Sequence, residues 1–266
     1  MTNLSELSKA YITSDADAVA ADIADRKIAY GADGKIIGTL GAITFDQVKL
    51  LLHMNGVDAS TTFTDDSDSA HVVTPSGDAQ IDTADSKFGG ASGLFDGTGD
   101  YLTIPYVANE FDWYAADYTL EAWVKAAAWT GWGDGLKKSA LIGRMNPTTV
   151  NNYWSFGPDP DGKLSFNYYN GSAIFLTGTT ALPTNQWVHI AMTHVLSTGE
   201  MKTFIDGEIE VSTTKAGTPQ SATDSLIIGK HNNTAITGWV DDLRIIRGTA
   251  KYTANFTPPT QQHPDS

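Results

Sequence analysis

No cysteine occurs in the 266 residues, which excludes disulfides, thiolate nucleophiles, cysteine-type zinc sites and iron–sulfur clusters together. Basic residues are scarce: 17 Lys and Arg stand against 31 Asp and Glu, a formal net charge of -14. A phosphate backbone or an anionic lipid surface would repel such a chain, so no nucleic-acid partner is expected. Long apolar runs are missing too. The longest, around Val48–Met54, is far too short to cross a bilayer, and the opening MTNLSELSKAYI carries Glu6 and Lys9 where an export signal would be apolar. The expectation is a soluble protein without an export signal or membrane insertion. Glutamate is confined to Glu6, Glu110, Glu121, Glu200, Glu208 and Glu210, so nearly all the acid is aspartate. Aspartate bonds nearby backbone in turns, which points to a loop-rich β protein.

With 41% hydrophobic positions the chain can bury a core of its own, and disorder and collagen-like order are excluded. Two regions differ in pattern. In residues 1–44, Ser14-Asp15-Ala16-Asp17 caps a short helix over residues 18–26, and Gly31-Ala32-Asp33-Gly34 turns between two very short strands. That unit is too small to own a core, so it is read as an attachment segment or a frayed extension.

From Phe45 to about Pro259, short apolar runs recur at roughly ten-residue intervals, the spacing of a β-sandwich or barrel. Thirteen strands are expected: 48–54, 92–95, 101–104, 118–125, 140–145, 153–156, 164–169, 174–177, 187–194, 201–205, 208–211, 225–228 and 238–247. Asp206-Gly207 and Asn170-Gly171 are hairpin turns. In the strand from Tyr118, residues Tyr118, Leu120, Ala122 and Val124 share one face, which is core, and Thr119, Glu121, Trp123 and Lys125 the other.

The ordered pieces Leu51-Leu52-His53-Met54-Asn55-Gly56, Phe88-Gly89-Gly90-Ala91-Ser92, Phe95-Asp96-Gly97-Thr98-Gly99-Asp100-Tyr101-Leu102, Trp187-Val188-His189-Ile190-Ala191, Phe204-Ile205-Asp206-Gly207 and Gly238-Trp239-Val240-Asp241-Asp242-Leu243-Arg244 resemble laminin-G-like, concanavalin-A-like domains over nearly all of 45–259. The resemblance implies an all-β jelly-roll β-sandwich occupying 45–266, with the small N-terminal α+β attachment segment at 1–44. Residues 246–259 look like the ending of such domains in bacteriophage structural proteins, and residues 21–39 are similar to segments of phage tail and fibre proteins. Both imply a virion protein, whose partners are other virion proteins held through 1–44 and, through the outer domain, a cell-surface glycan. A homo-oligomer, a trimer for instance, suits avidity, although the sequence shows no heptad seam. A decoration role through protein contacts alone, a glycan-active hydrolase and a bacterial surface adhesin are the alternatives.

Jelly-roll glycosidases resembling this fold use Glu-x-Asp-x-x-Glu. The nearest string here, Glu110-Phe111-Asp112-Trp113-Tyr114-Ala115, lacks the third acid, so no enzyme activity is expected. His189 and His194 point to opposite faces of one strand and cannot share a metal from it. The resemblance also implies structural calcium, with ligands carried over to Asn55, Asp58, Asp96, Asp100 and Asp241, Asn55 standing where relatives often have Asp. Asp159-Pro160-Asp161-Gly162 mimics a calcium loop but lacks its closing Glu and reads as a turn. Trp123, Trp154, Trp187 and Trp239 lie in strand patterns, as core or sheet-face residues. Trp113, Trp129 and Trp132 lie in loops; with Asp134 in a glycine-rich stretch they are the expected glycan contacts, against the alternative of a loop folded over its own core.

Overall fold

Alternation of apolar and polar residues carries the strands of this protein into two antiparallel sheets. The computed structural model describes residues 45–134, 138–144, 154–214, 223–231 and 234–265, all within the unit Phe45–Ser266. The helix and hairpin expected in 1–44 lie outside the described residues.

In chain order the strands are β1 (Val48–Leu52), β2 (Thr74–Ser76), β3 (Gln80–Asp82), β4 (Ser92–Asp96), β5 (Tyr101–Ile104), β6 (Tyr118–Lys125), β7 (Gly133–Asp134), β8 (Lys138–Ser139), β9 (Ile142–Arg144), β10 (Trp154–Pro158), β11 (Lys163–Tyr169), β12 (Ala173–Ala181), β13 (Val188–Val195), β14 (Glu200–Ile205), β15 (Glu208–Thr214), β16 (Leu226–Ile228), β17 (Lys230–His231), β18 (Thr234–Ala235) and β19 (Thr237–Arg247). Each of the thirteen expected strands is present. The six additional ones are two or three residues long, too short for periodicity to reveal. One of them, β2, carries Pro75 and lies at the end of its sheet, where a residue without an N–H is tolerated.

One sheet has the order β15-β14-β13-β6-β19-β4-β3, with β1 also on β19; the other runs β12-β11-β10-β9-β16-β5-β2. β19 organises the first sheet. One edge pairs with β6, and the other pairs first with β4 through 237–240 and then with β1 through 243–246. A bulge between Asp241 and Arg244 separates the two stretches, and Asp242 takes φ +47° there. Between the sheets lie Phe95, Leu120, Ala122, Val124, Ile190 and Val240 from one and Leu102, Ile142, Phe156, Phe166 and Ile228 from the other. The Asp206-Gly207 turn has both residues at positive φ, as a two-residue hairpin requires; at Asn170-Gly171 only the glycine does.

The far side of β6 is not solvated, contrary to simple alternation: Thr119, Glu121 and Trp123 are buried as well. Residues 248–265 form a strap that crosses this outer face. Tyr252 donates its hydroxyl to Glu121 Oε2 at 2.7 Å, Thr193 donates to Tyr252 O at 3.0 Å, Lys251 N donates to Thr119 at 2.9 Å and Phe256 N donates to Gly207 O at 2.9 Å. The Tyr252 and Phe256 rings stack at 3.5 Å. At the strap's end, Asp265 meets His53 Nε2 at 2.7 Å, and His53 Nδ1 meets Asp242 at 2.7 Å. Among the described residues no helix is long and apolar enough to cross a membrane.

Candidate functional site

The three loop tryptophans are core residues, which corrects the expectation that they face a sugar. Trp113, in a 3-10 turn, sets its ring edge-on to Phe166, Tyr168 and His194 between the sheets. Trp129 Nε1 donates to Leu182 O at 2.9 Å and Trp132 Nε1 to Thr237 O at 3.0 Å, and the two indoles meet edge-on at 5.0 Å. All three are buried. Glycine in this stretch lets the loop fold back over its own core, and the carbonyls satisfy two of the indole N–H groups that burial would otherwise strand. Asp134 contributes backbone to a two-residue ladder with Lys138.

The five residues of the expected calcium set fall in three places. Asp96 and Asp100 lie on either side of the β4–β5 turn and are joined by Asp78, which the sequence did not single out. One carboxylate oxygen from each lies within 4.8 Å of the others. Asp100 accepts from the N–H groups of Asp78 and Asp96, both at 2.8 Å, so its two oxygens are already engaged. Burial, with the two neighbouring acids, pushes its carboxyl up. Asp58 is elsewhere, accepting from the Thr83 N–H and hydroxyl. Asp241 Oδ2 accepts from Lys87 N at 2.7 Å and Phe88 N at 3.0 Å, while its buried Oδ1 has no hydrogen-bond partner among the described residues. Burial pushes this carboxyl up to about 7. Asn55 Oδ1 packs against Gly89, on the same short segment. Asp159 accepts from the Asp161 and Lys163 N–H groups and is the plain turn expected.

The most highly charged part of the outer face is inaccessible. Glu121 Oε1 accepts two bonds from Arg244, at 2.6 and 3.0 Å, and Oε2 meets His189 Nε2 at 3.1 Å. Burial alone would raise the Glu121 carboxyl, but Arg244, His263 and Lys251 outweigh it and hold it well below the usual range. A carboxylate sealed under the strap cannot reach a substrate. His194, as expected, points the other way, to Trp113 O.

What the strap leaves clear is the next part of that face. Val124, Val188 and Val240 are core, so by the two-residue period of a strand their neighbours Lys125, Trp187 and Trp239 point outward. Trp239 pairs directly with Lys125 on one side and with Leu94 on the other. Both indoles are half-buried and fixed at one edge: Trp187 Nε1 donates to Asp85 Oδ1 at 2.9 Å and Trp239 Nε1 to Asp82 Oδ2 at 2.7 Å. Lys125 bonds the other oxygen of Asp85 and lies 5.8 Å from the Trp239 ring centre. Behind the row, Lys87 sits 3.7 Å over Trp123 and Phe88 meets Trp123 edge-on, so the 85–88 segment walls one side. The sequence grouped Trp187 and Trp239 with Trp123 and Trp154; the apolar partners beside them were the signal that these two face out.

A jelly roll with a half-open aromatic row on one sheet face is now defined. The sequence model of the concanavalin A-like lectin/glucanases superfamily matches residues 96–251. The chain belongs to this superfamily. Among solved structures, the superfamily fold here is similar to the binding domain of Paraclostridial Mosquitocidal Protein 1 (17% identity, TM-score 0.54, 76% of this chain and 49% of that one). It is similar to a structure of botulinum neurotoxin type C, which depends on interaction with two ganglioside molecules to get into cells (19%, 0.54, 76% and 48%). It is also similar to domain 4 of AbnA, a GH43 extracellular arabinanase from Geobacillus stearothermophilus, in complex with arabinotriose (20%, 0.52, 76% and 93%). The chain spans about half the length of the toxin domains it matches, and at these identities the likeness is one of fold. No curated protein matches it in sequence.

Proposed function

We propose that residues 45–266 are a non-enzymatic, lectin-like adhesion module that binds glycan at the Trp187–Lys125–Trp239 row. The observation that carries this reading is the row itself: two indoles, held at their edges by carboxylates and half open, beside hydrogen-bonding groups. Flat apolar rings with polar groups at the rim suit the mixed faces of a sugar. The ganglioside and arabinotriose named for two fold neighbours support the ligand class. Binding without turnover is supported by the broken carboxylate motif, in which Asp112 is tied to Arg144 at 2.7 Å, and by the burial of Glu121.

The finer reading is a phage virion protein that displays this module through residues 1–44, supported by the resemblance of residues 21–39 and 246–259 to phage structural segments. The calcium that the resemblance implies fits best at Asp241. The orphaned Oδ1 there and the Asn55 amide oxygen would hold it and so pin the 87–89 segment behind the row.

A glycan array probed with the full-length protein and with Trp187→Ala/Trp239→Ala tests the reading. Specific signals that the double variant loses are expected. A blank array for a correctly folded protein overturns glycan binding in favour of decoration through protein contacts.

A further inference from the structure

Resting on the glycan-binding reading above, we infer that the row takes a neutral, extended oligosaccharide laid across the strands, with stacking subsites on Trp187 and Trp239 and the Lys125–Asp85 pair reading hydroxyls between them. Spacing sets the length. Trp239 is on β19 and Trp187 immediately precedes β13, with β6 between, so the two indoles are two strand spacings, about 10 Å, apart. One sugar ring cannot cover both, whereas an oligosaccharide of a few units can.

Direction follows from what encloses the row. The 85–88 segment, with Lys87 stacked on Trp123, blocks the path along the strands, so the ligand crosses them from Trp187 over Lys125 to Trp239. Orientation is pre-set, because each indole is anchored through its own N–H and little rotamer freedom remains to be lost on binding.

Charge sets the class. The cations of this patch, Lys87 and Lys125, are matched by Asp82 and Asp85, so the row has no net positive charge to offer an anionic sugar, and the chain as a whole carries -14. Its polar groups are a mixed set. Asp85 keeps lone pairs beyond those used by Trp187 and Lys125, and the Lys125 ammonium has further N–H donors. Sugar hydroxyls, which both donate and accept, match that set; a carboxylate or sulfate does not.

The test is calorimetric titration of the full-length protein with ladders of neutral arabino-, gluco- and galacto-oligosaccharides, from mono- to pentasaccharide, and with sialylated and sulfated oligosaccharides of matched length, at low and high salt. For at least one ladder, affinity should climb about tenfold or more between mono- and trisaccharide and then level off, with little change with salt. Trp187→Ala and Trp239→Ala should each lose about tenfold on the trisaccharide and flatten the length dependence. Trp187→Phe and Trp239→Phe, which preserve an apolar ring, should lose less, and thermal melts confirm that each variant is folded. Glycan binding through the two tryptophans that ignores chain length overturns this inference and leaves the glycan-binding reading of the row standing, whereas glycan binding that ignores both tryptophans overturns the row as the site and this inference with it. Preference for sialylated or sulfated glycans with steep salt dependence overturns neutrality alone, and absence of any glycan binding sinks both.

Discussion

At the scale of single residues, polar side chains in this protein matter chiefly through what they hold together. His71 shows this away from the proposed site: Nδ1 meets Asp65 Oδ2 at 2.6 Å, and Nε2 bonds Glu110. The Asp65 hydrogen bond raises the imidazole's pKa; burial opposes this, and Glu110 adds to the rise. Because the folded value stands above the unfolded one, the stabilisation is complete below about pH 6.5 and is lost as pH climbs through the raised value. His71→Gln should therefore cost about 2 kcal/mol in chemical denaturation at pH 6 and clearly less at pH 9. An equal cost at both values would show that the imidazolium is not what is held.

At the scale of elements, the strap decides which parts of the larger sheet are open. Its seat includes Gly207, at φ +79°, where an added Cβ would lie 1.9 Å from Phe256 O. Gly207→Ala should lift the strap locally, lower the melting temperature by several degrees and speed amide exchange at Phe256, with the β-sandwich retained. Unchanged exchange there would mean that the strap is not seated on this turn. The elements also show where sequence reading succeeds. Strands such as β6 and β13 were legible as short apolar runs rich in β-formers and bounded by turn residues, with Thr119, Glu121, His189 and Thr193 marking the second face. The strap was not: its polar, Pro-containing sequence has no period, and only its tertiary position buries Thr119 and Glu121 on the face that alternation leaves to water. The same limit misplaced Trp113, Trp129 and Trp132, since a loop without a strand period looks exposed until its path is known. Asp78 escaped notice because it joins Asp96 and Asp100 only once the two short strands beside it, β2 and β3, are formed. Trp187 and Trp239, by contrast, could have been assigned outward from their neighbours Val188 and Val240 alone.

At the scale of the whole molecule, the proposed calcium site would couple ion binding to the fold through Asp241, whose buried Oδ1 has no hydrogen-bond partner among the described residues. Calcium should raise the melting temperature of the full-length protein at neutral pH relative to chelator, and Asp241→Asn should abolish the difference. A shift that survives the substitution would place the ion elsewhere, the Asp78–Asp96–Asp100 cluster being the next candidate. One further consequence comes from β1 lying against β19 while Asp265 reaches back to His53 just past β1. The first strand of the domain and the last stretch of its strap share one corner of one sheet. A domain built this way can be grafted into a surface loop of a host scaffold without prising its ends apart, and a circular permutant that links them and opens instead at the exposed turn around Gly171 should still fold.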